Sequence, residues 1–208
     1  VTGMAITTYE EEVQLRILTG KEVGKLIGKM GANRVAVISV SNLICNVLSG
    51  SAIASFMENG GGVAYNFIVE PLKTEEELAE RIRNYNPDTI ILLYGGELPV
   101  DDLKKSLRKM LKALGQKKVN ANLILHVRAY LAGGLDYSLE DSEVKNYLEN
   151  NKLFVYTADL DHGIMIMNKI DLVDGKPRLT PLLYVSISFE HNVLLNKSLA
   201  GRKVLFEK

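Results

Sequence analysis

Residues Val35–Met57 read VAVISVSNLICNVLSGSAIASFM, 23 positions without a formal charge. The first part is rich in β-branched residues (Val35, Val37, Ile38, Val40), and Ser41-Asn42 interrupts it. From Leu43 to Phe56 the apolar positions Ile44, Val47, Leu48, Ile53 and Phe56 follow a helical period. A buried strand, a short turn and a buried helix are predicted, closed by Gly60-Gly61-Gly62. The run is long enough to cross a bilayer. Asn42 and Asn46 would then lie at membrane depth, and six serine or glycine positions dilute its hydrophobicity, so no membrane span is expected.

Outward from this stretch, strand-like and helix-like patterns alternate about five times. Val63–Val69 reads as a strand stopped by Pro71, and Thr74-Glu75-Glu76-Glu77 is a capping box opening a helix with Leu78, Ile82 and Tyr85. Thr89–Tyr94 is a continuous apolar run, as in a strand covered on both faces. Asp101–Leu114 is amphipathic, with Leu103, Leu107, Met110, Leu111 and Leu114 inward and a wet basic side. Strands are predicted at Leu123–Val127 and Leu153–Thr157, with a helix carrying Val144, Tyr147 and Leu148 between them. The expected fold class is α/β, a doubly wound, mostly parallel three-layer sheet with right-handed crossovers.

Both ends read differently. Residues 4–18 suggest two short strands, MAITTY and VQLRIL, the second from the alternation of Val13, Leu15 and Ile17 with Gln14 and Arg16. Glu22–Met30 then reads as a helix with Lys21, Lys25 and Lys29 on its wet side. Beyond residue 163, Ile164–Val173 and Leu182–Phe189 flank Asp174-Gly175-Lys176-Pro177, a hairpin signal. Val193–Leu195 and Lys203–Phe206 suggest a second hairpin. The chain is therefore divided into an open-sheet core, 1–163, and a β-hairpin-rich antiparallel extension, 164–208.

Bulk composition narrows the partners. The 25 basic and 25 acidic residues cancel, so no global field recruits nucleic acid or an anionic membrane. The single cysteine, Cys45, excludes an intrachain disulfide, and with no signal peptide in evidence a cytoplasmic location is expected. A start at Val1 rather than Met fits a trimmed chain or a fragment.

Three short segments resemble known motifs. Asn168-Lys169-Ile170-Asp171 resembles the guanine-reading NKxD motif of small GTPases, but the chain has no GxxxxGK[ST] phosphate loop, so GTP recognition is not expected. Gly24-Lys25-Leu26-Ile27-Gly28-Lys29-Met30-Gly31 resembles the GxxG region of KH domains. The strand pattern at Val35–Val40 occupies the place of that family's second helix, and glycine spacers in an amphipathic helix are the simpler reading. Arg34–Asn42 with Gly95-Gly96-Glu97 resembles molybdopterin-binding domains. Asn42 stands where that family has aspartate, and Glu97-Leu98 where it has Thr-Gly.

In open α/β sheets ligands bind beyond the carboxyl ends of the strands. That rule gathers Ser41, Asn42, Glu70, Gly95, Gly96, Glu97 and Arg128 as candidate ligand contacts. Asp159, Asp161 and His162 follow the strand LFVYT, and their oxygen-rich set would suit magnesium or manganese. Two functions compete. The favoured one is a non-catalytic module whose C-terminal part mediates self-association or docking to a protein partner, with room for a small anionic ligand. The other is a metal-assisted hydrolase or transferase acting on a phosphorylated or nucleotide ligand, with Asp159 and Asp161 on the metal, Glu70 or His162 as base and Arg128 on phosphate. The enzyme requires Glu70, Asp159 and Asp161 in one cleft. The module predicts that they scatter and that the 164–206 surface is apolar.

Overall fold

The computed structural model describes residues 7–60, 62–70, 73–93 and 98–206, with side chains through residue 200. The uncharged run Val35–Met57 folds as expected, into β1 (Arg34–Val40) and the helix Leu43–Gly60. Alternate residues of β1 go to opposite faces and both sets are buried: Val35 and Val37 join one apolar cluster, Ala36 and Ile38 the other.

Ahead of β1, the two expected strands are one helix, α1 (Tyr9–Lys29). Met4–Ile6 of the first expected strand lie outside the described residues. The cause is local. The Thr8 hydroxyl accepts from the Glu11 amide at 3.1 Å, and the Glu11 carboxylate accepts from the Thr8 amide at 3.2 Å, a complete capping box. The buried positions of α1 then include Leu15, Arg16, Gly20, Val23, Gly24 and Ile27, a helical stripe, while Ile17 points out.

After α2 (Leu43–Gly60) come β2 (Val63–Val69), α3 (Glu75–Tyr85), β3 (Thr89–Leu92), α4 (Val100–Gln116) and β4 (Asn122–Leu125). Strand β4 is shorter than predicted. The His126 Nδ1 accepts from the Arg128 amide at 3.0 Å and turns the chain into α5 (Val127–Leu131). Two more helices follow, α6 (Gly134–Leu139) and α7 (Ser142–Glu149), the latter capped by Asp141. The chain then forms β5 (Leu153–Asp159), β6 (Ile164–Val173), β7 (Lys176–Ser186) and α8 (Phe189–Phe206).

The sheet has seven strands in the order β2-β1-β3-β4-β5-β6-β7. Strands β1 to β5 run parallel, and β6 and β7 are antiparallel additions at one edge. The β6–β7 turn is Asp174-Gly175, both with positive φ (52° and 75°), as a two-residue hairpin loop requires. The second expected hairpin is absent; α8 takes its place, with the Ser188 hydroxyl accepting from the His191 amide at 3.1 Å at its start. Helices α1 and α2 cover one face of the sheet, and α3, α4, α6 and α7 cover the other. Helix α8 packs on α1. No described helix is long and apolar enough to cross a membrane.

Candidate ligand cavity

The carboxyl ends of β4 and β5 do not close against the helices above them. A half-open cavity of about 980 Å³ lies there, walled by α1 (Leu15, Arg16, Thr19), α5 (Val127, Arg128, Leu131), β5 (Tyr156, Thr157, Ala158) and α8 (Leu195, Asn196, Ser198, Leu199). Leu48 of α2 and Met165 of β6 also line it. Its size and apolar wall are those of a small-molecule site.

A few polar groups break the apolar lining. Arg16 is only 8% exposed. Its Nη1 lies 3.2 Å from Glu12 Oε2. Glu12 Oε1 accepts from the hydroxyls of Thr7 (2.6 Å) and Ser198 (2.9 Å), so this carboxylate joins α1 to α8. The Tyr156 hydroxyl is fully buried and has no hydrogen-bond partner among the described residues. Burial holds its phenol well above the usual range, so it keeps its proton as a donor. The His126 ring meets Tyr156 edge-on with centroids 5.5 Å apart. Because His126 Nδ1 accepts a backbone proton, its own proton resides on Nε2. Arg128 donates from Nη2 to the Leu98 carbonyl at 2.9 Å.

Helix α8 is tied to this rim by polar contacts. His191 Nε2 and Thr19 Oγ1 are 3.0 Å apart, Lys197 pairs with both Glu11 oxygens at 2.8 Å, and Asn192 donates to the Leu160 carbonyl at 3.0 Å. Burial pushes the His191 imidazole down to about 4, so the ring is neutral at ordinary pH.

Of the residues expected from sequence, Arg128 alone among those described lines the cavity. Ser41 is exposed in a bend, and Asn42 caps α2, its Oδ1 accepting from the Cys45 amide at 2.8 Å. Glu70 pairs with Lys73 at 3.0 Å beyond the edge strand β2. Gly95, Gly96 and Glu97 lie outside the described residues. Asp159 closes the β5–β6 turn: its Oδ2 meets His162 Nδ1 at 2.8 Å and its Oδ1 accepts from the His162 amide at 3.2 Å, and the imidazole contact lowers the Asp159 carboxyl. Asp161 is exposed in that turn. Among the described residues no three His, Cys, Asp or Glu side chains are arranged to hold a metal ion; of the expected trio, Asp159 and His162 bond to each other across the turn. Four strand spacings separate β2 from β5, about 19 Å, so Glu70 and Asp159 share no cleft.

The NKxD-like segment lies inside β6. Asn168 is buried and donates to the Val155 carbonyl (3.1 Å) and Thr157 hydroxyl (2.9 Å), sealing the sheet. Of the GxxG-like glycines, Gly24 and Gly28 sit in the C-terminal part of α1, facing α2, and Gly31 follows the helix with a positive φ. Arg16, Thr19 and Tyr156 were not singled out from sequence. With 4–18 read as strand, the position of Arg16 on a buried helical stripe was invisible. Tyr156 had a signal of its own, as the polar-tipped residue of an otherwise apolar LFVY run.

Solved proteins share the architecture. The structure of a putative branched-chain amino acid ABC transporter from Rhodospirillum rubrum is 20% identical and superposes with a TM-score of 0.52 over 72% of this chain and 38% of that one. A solute-binding protein of an ABC transporter from Rhodopseudomonas palustris HaA2, in complex with p-hydroxybenzoic acid, is 14% identical with a TM-score of 0.52 over 85% of this chain and 66% of that one. The chain thus spans less than two fifths of the first and about two thirds of the second. These likenesses fix the fold as a three-layer α/β sheet. An uncharacterized protein of Aquifex aeolicus (strain VF5) is 26% identical over 159 residues, 76% of this chain and 72% of its own length. A family model described only as "Uncharacterized protein" matches residues 12–194, and the chain belongs to that family.

Proposed function

We propose that this chain is a non-catalytic binding module that takes a small ligand with an apolar body into the cavity between α1, α5, α8 and the ends of β4 and β5. The cavity itself carries the reading: about 980 Å³ with a mainly apolar wall and a few convergent polar groups is the chemistry of recognition. The p-hydroxybenzoic acid complex of the Rhodopseudomonas palustris solute-binding protein gives a first probe. The test is a thermal melt with 4-hydroxybenzoate, leucine and 4-hydroxybenzyl alcohol, on wild type and Leu195→Trp. A ligand present at a hundred times its Kd stabilises the native state by about 2.7 kcal/mol, a shift of several degrees. The shift is expected for at least one probe and should vanish when tryptophan fills the cavity. No shift with any probe at millimolar concentration removes the reading.

A second feature supports self-association through the C-terminal part. Leu182, Tyr184 and Phe189 are 51%, 62% and 86% exposed on β7 and the start of α8. A second copy covering this surface would bury them. Light scattering should then show a dimer that Tyr184→Glu with Phe189→Glu converts to monomer; a wild-type monomer at high concentration rejects it.

A further inference from the structure

We infer that Arg16 is the anchor for a ligand carboxylate, and that the cavity selects monocarboxylates with an apolar body over neutral or zwitterionic molecules. The inference rests on the cavity being the ligand site and assigns its polar end. Two guanidinium groups, Arg16 and Arg128, line the cavity, and no acidic side chain does among the described residues. Arg16 is the more deeply buried of the two. A guanidinium carries five N–H donors in a planar fork. Among the described residues the one protein group that answers them is Glu12, through a single ion pair at 3.2 Å. Glu12 is shared, since its other oxygen already accepts from Thr7 and Ser198.

Arg16 lines the cavity and is only 8% exposed, so the donors that Glu12 does not meet have the cavity and whatever fills it to answer them. A carboxylate matches the fork in two parallel hydrogen bonds, which an alcohol or amide does not. Tyr156 supplies the second observation. Its hydroxyl, on the β5 wall, is buried without a partner and near enough to Arg16 to feel its charge. A ligand oxygen held by Arg16 would give that hydroxyl the acceptor it lacks. An amino-acid ammonium would require an acid, and Glu12 is already engaged by Arg16, Thr7 and Ser198. Leu131, Leu195 and Leu199 offer only apolar contact to the rest of the ligand.

The experiment is titration calorimetry of the full chain with 4-hydroxybenzoate and with its carboxamide, on wild type, Arg16→Gln and Tyr156→Phe. Wild type should prefer the carboxylate roughly ten- to hundredfold. Arg16→Gln should erase that preference while still binding the carboxamide, and Tyr156→Phe should weaken both probes without erasing it. The wild-type comparison stands even if Arg16→Gln fails to fold. Equal wild-type affinity for the two probes overturns the Arg16 assignment but leaves the cavity as a binding site. Carboxylate binding unchanged in a folded Arg16→Gln does the same. Absence of binding by either probe overturns the assignment, and the binding-module reading then falls only if leucine and 4-hydroxybenzyl alcohol also leave the melt unchanged.

Discussion

Helix α1 makes two seams of opposite character. Against α2 it is glycine-lined and close: a Cβ built on Gly20 would fall 2.6 Å from the Leu48 carbonyl oxygen, and one on Gly24 would fall 2.5 Å from that of Ala52. At that approach the hydroxyls of Ser51 and Ser55 donate to the Ile17 and Lys21 carbonyls, each at 2.6 Å. Against α8 the same helix presents Glu11, Glu12, Gln14 and Thr19, which reach across to Lys197, Ser198, Glu190 and His191. Long polar side chains hold helices apart where glycines let them touch, and the cavity lies on the open side. One helix thus serves as a rigid mount on one flank and as the wall of a site on the other. The contrast teaches that the glycine spacing of this chain is packing chemistry, and that its recognition chemistry is carried by Arg16 on the same helix.

The largest effect belongs to the close seam. In Gly24→Ala the new methyl meets backbone at Ala52 and Phe56, which cannot rotate away, so the two helices must part. Overpacking of this kind costs about 3 kcal/mol, and the helix propensity gained by alanine returns about 1 kcal/mol. A net fall in Tm of roughly 4–8 °C is expected by calorimetry. Gly50, on α2 but with nothing within 4 Å of a built Cβ, should respond with the opposite sign, Gly50→Ala gaining about 1 kcal/mol. If both substitutions move Tm alike, the close seam does not exist as described.

The polar seam should answer to pH instead. His191 titrates at about 4 in the folded chain against 6.5 when free, because burial disfavours the imidazolium. Between those values the unfolded chain binds the proton and the native chain does not, so stability falls as pH drops from 6.5 toward 4. Above that window the contribution is fully present. His191→Gln should flatten this part of the Tm–pH profile, a smaller change than the glycine lesion. A wild-type profile that is level between pH 6.5 and 4 would mean that the imidazole opens to water and that the seam is already loose.

How far sequence led follows the same division. The close-packed elements were legible because their causes are local. Val35–Val40 is apolar on both faces, Thr74 and Glu77 cap α3 within one turn, and Asp174-Gly175 can scarcely be anything but a hairpin loop. The elements around the cavity were not. Alternation at Val13, Leu15 and Ile17 imitated a strand because one side of α1 faces a partly filled space and its hydrophobic stripe is incomplete. The same weakness hid α8, whose apolar residues are divided between α1, the cavity and solvent, so no single helical stripe stands out. The strand-end rule found Arg128 and the general neighbourhood of β5. It missed Arg16, because it looks along the sheet and Arg16 enters from a helix preceding the first strand.

The smallest effect expected is at the outer contact of the polar seam. Lys197 holds the Glu11 carboxyl below its usual range, with the Thr8 amide adding to the effect, and both side chains of the pair are partly exposed. Solvent and salt screen such a pair, so Lys197→Ala should change Tm barely at all at pH 7. The sign is nevertheless fixed. A depressed carboxyl stabilises the native state above its unfolded value of 4.5, and that contribution disappears as pH falls through the folded value. Any gap between wild type and variant should therefore close in acid, and close again in high salt at neutral pH. Hydrogen exchange reads the pair more directly than Tm, because the substitution should speed exchange along α8 while leaving the α1–α2 amides untouched. A drop of several degrees in Lys197→Ala, or faster exchange in α2, would show that the two flanks of α1 open as one unit and that the cavity wall is as rigid as the glycine seam.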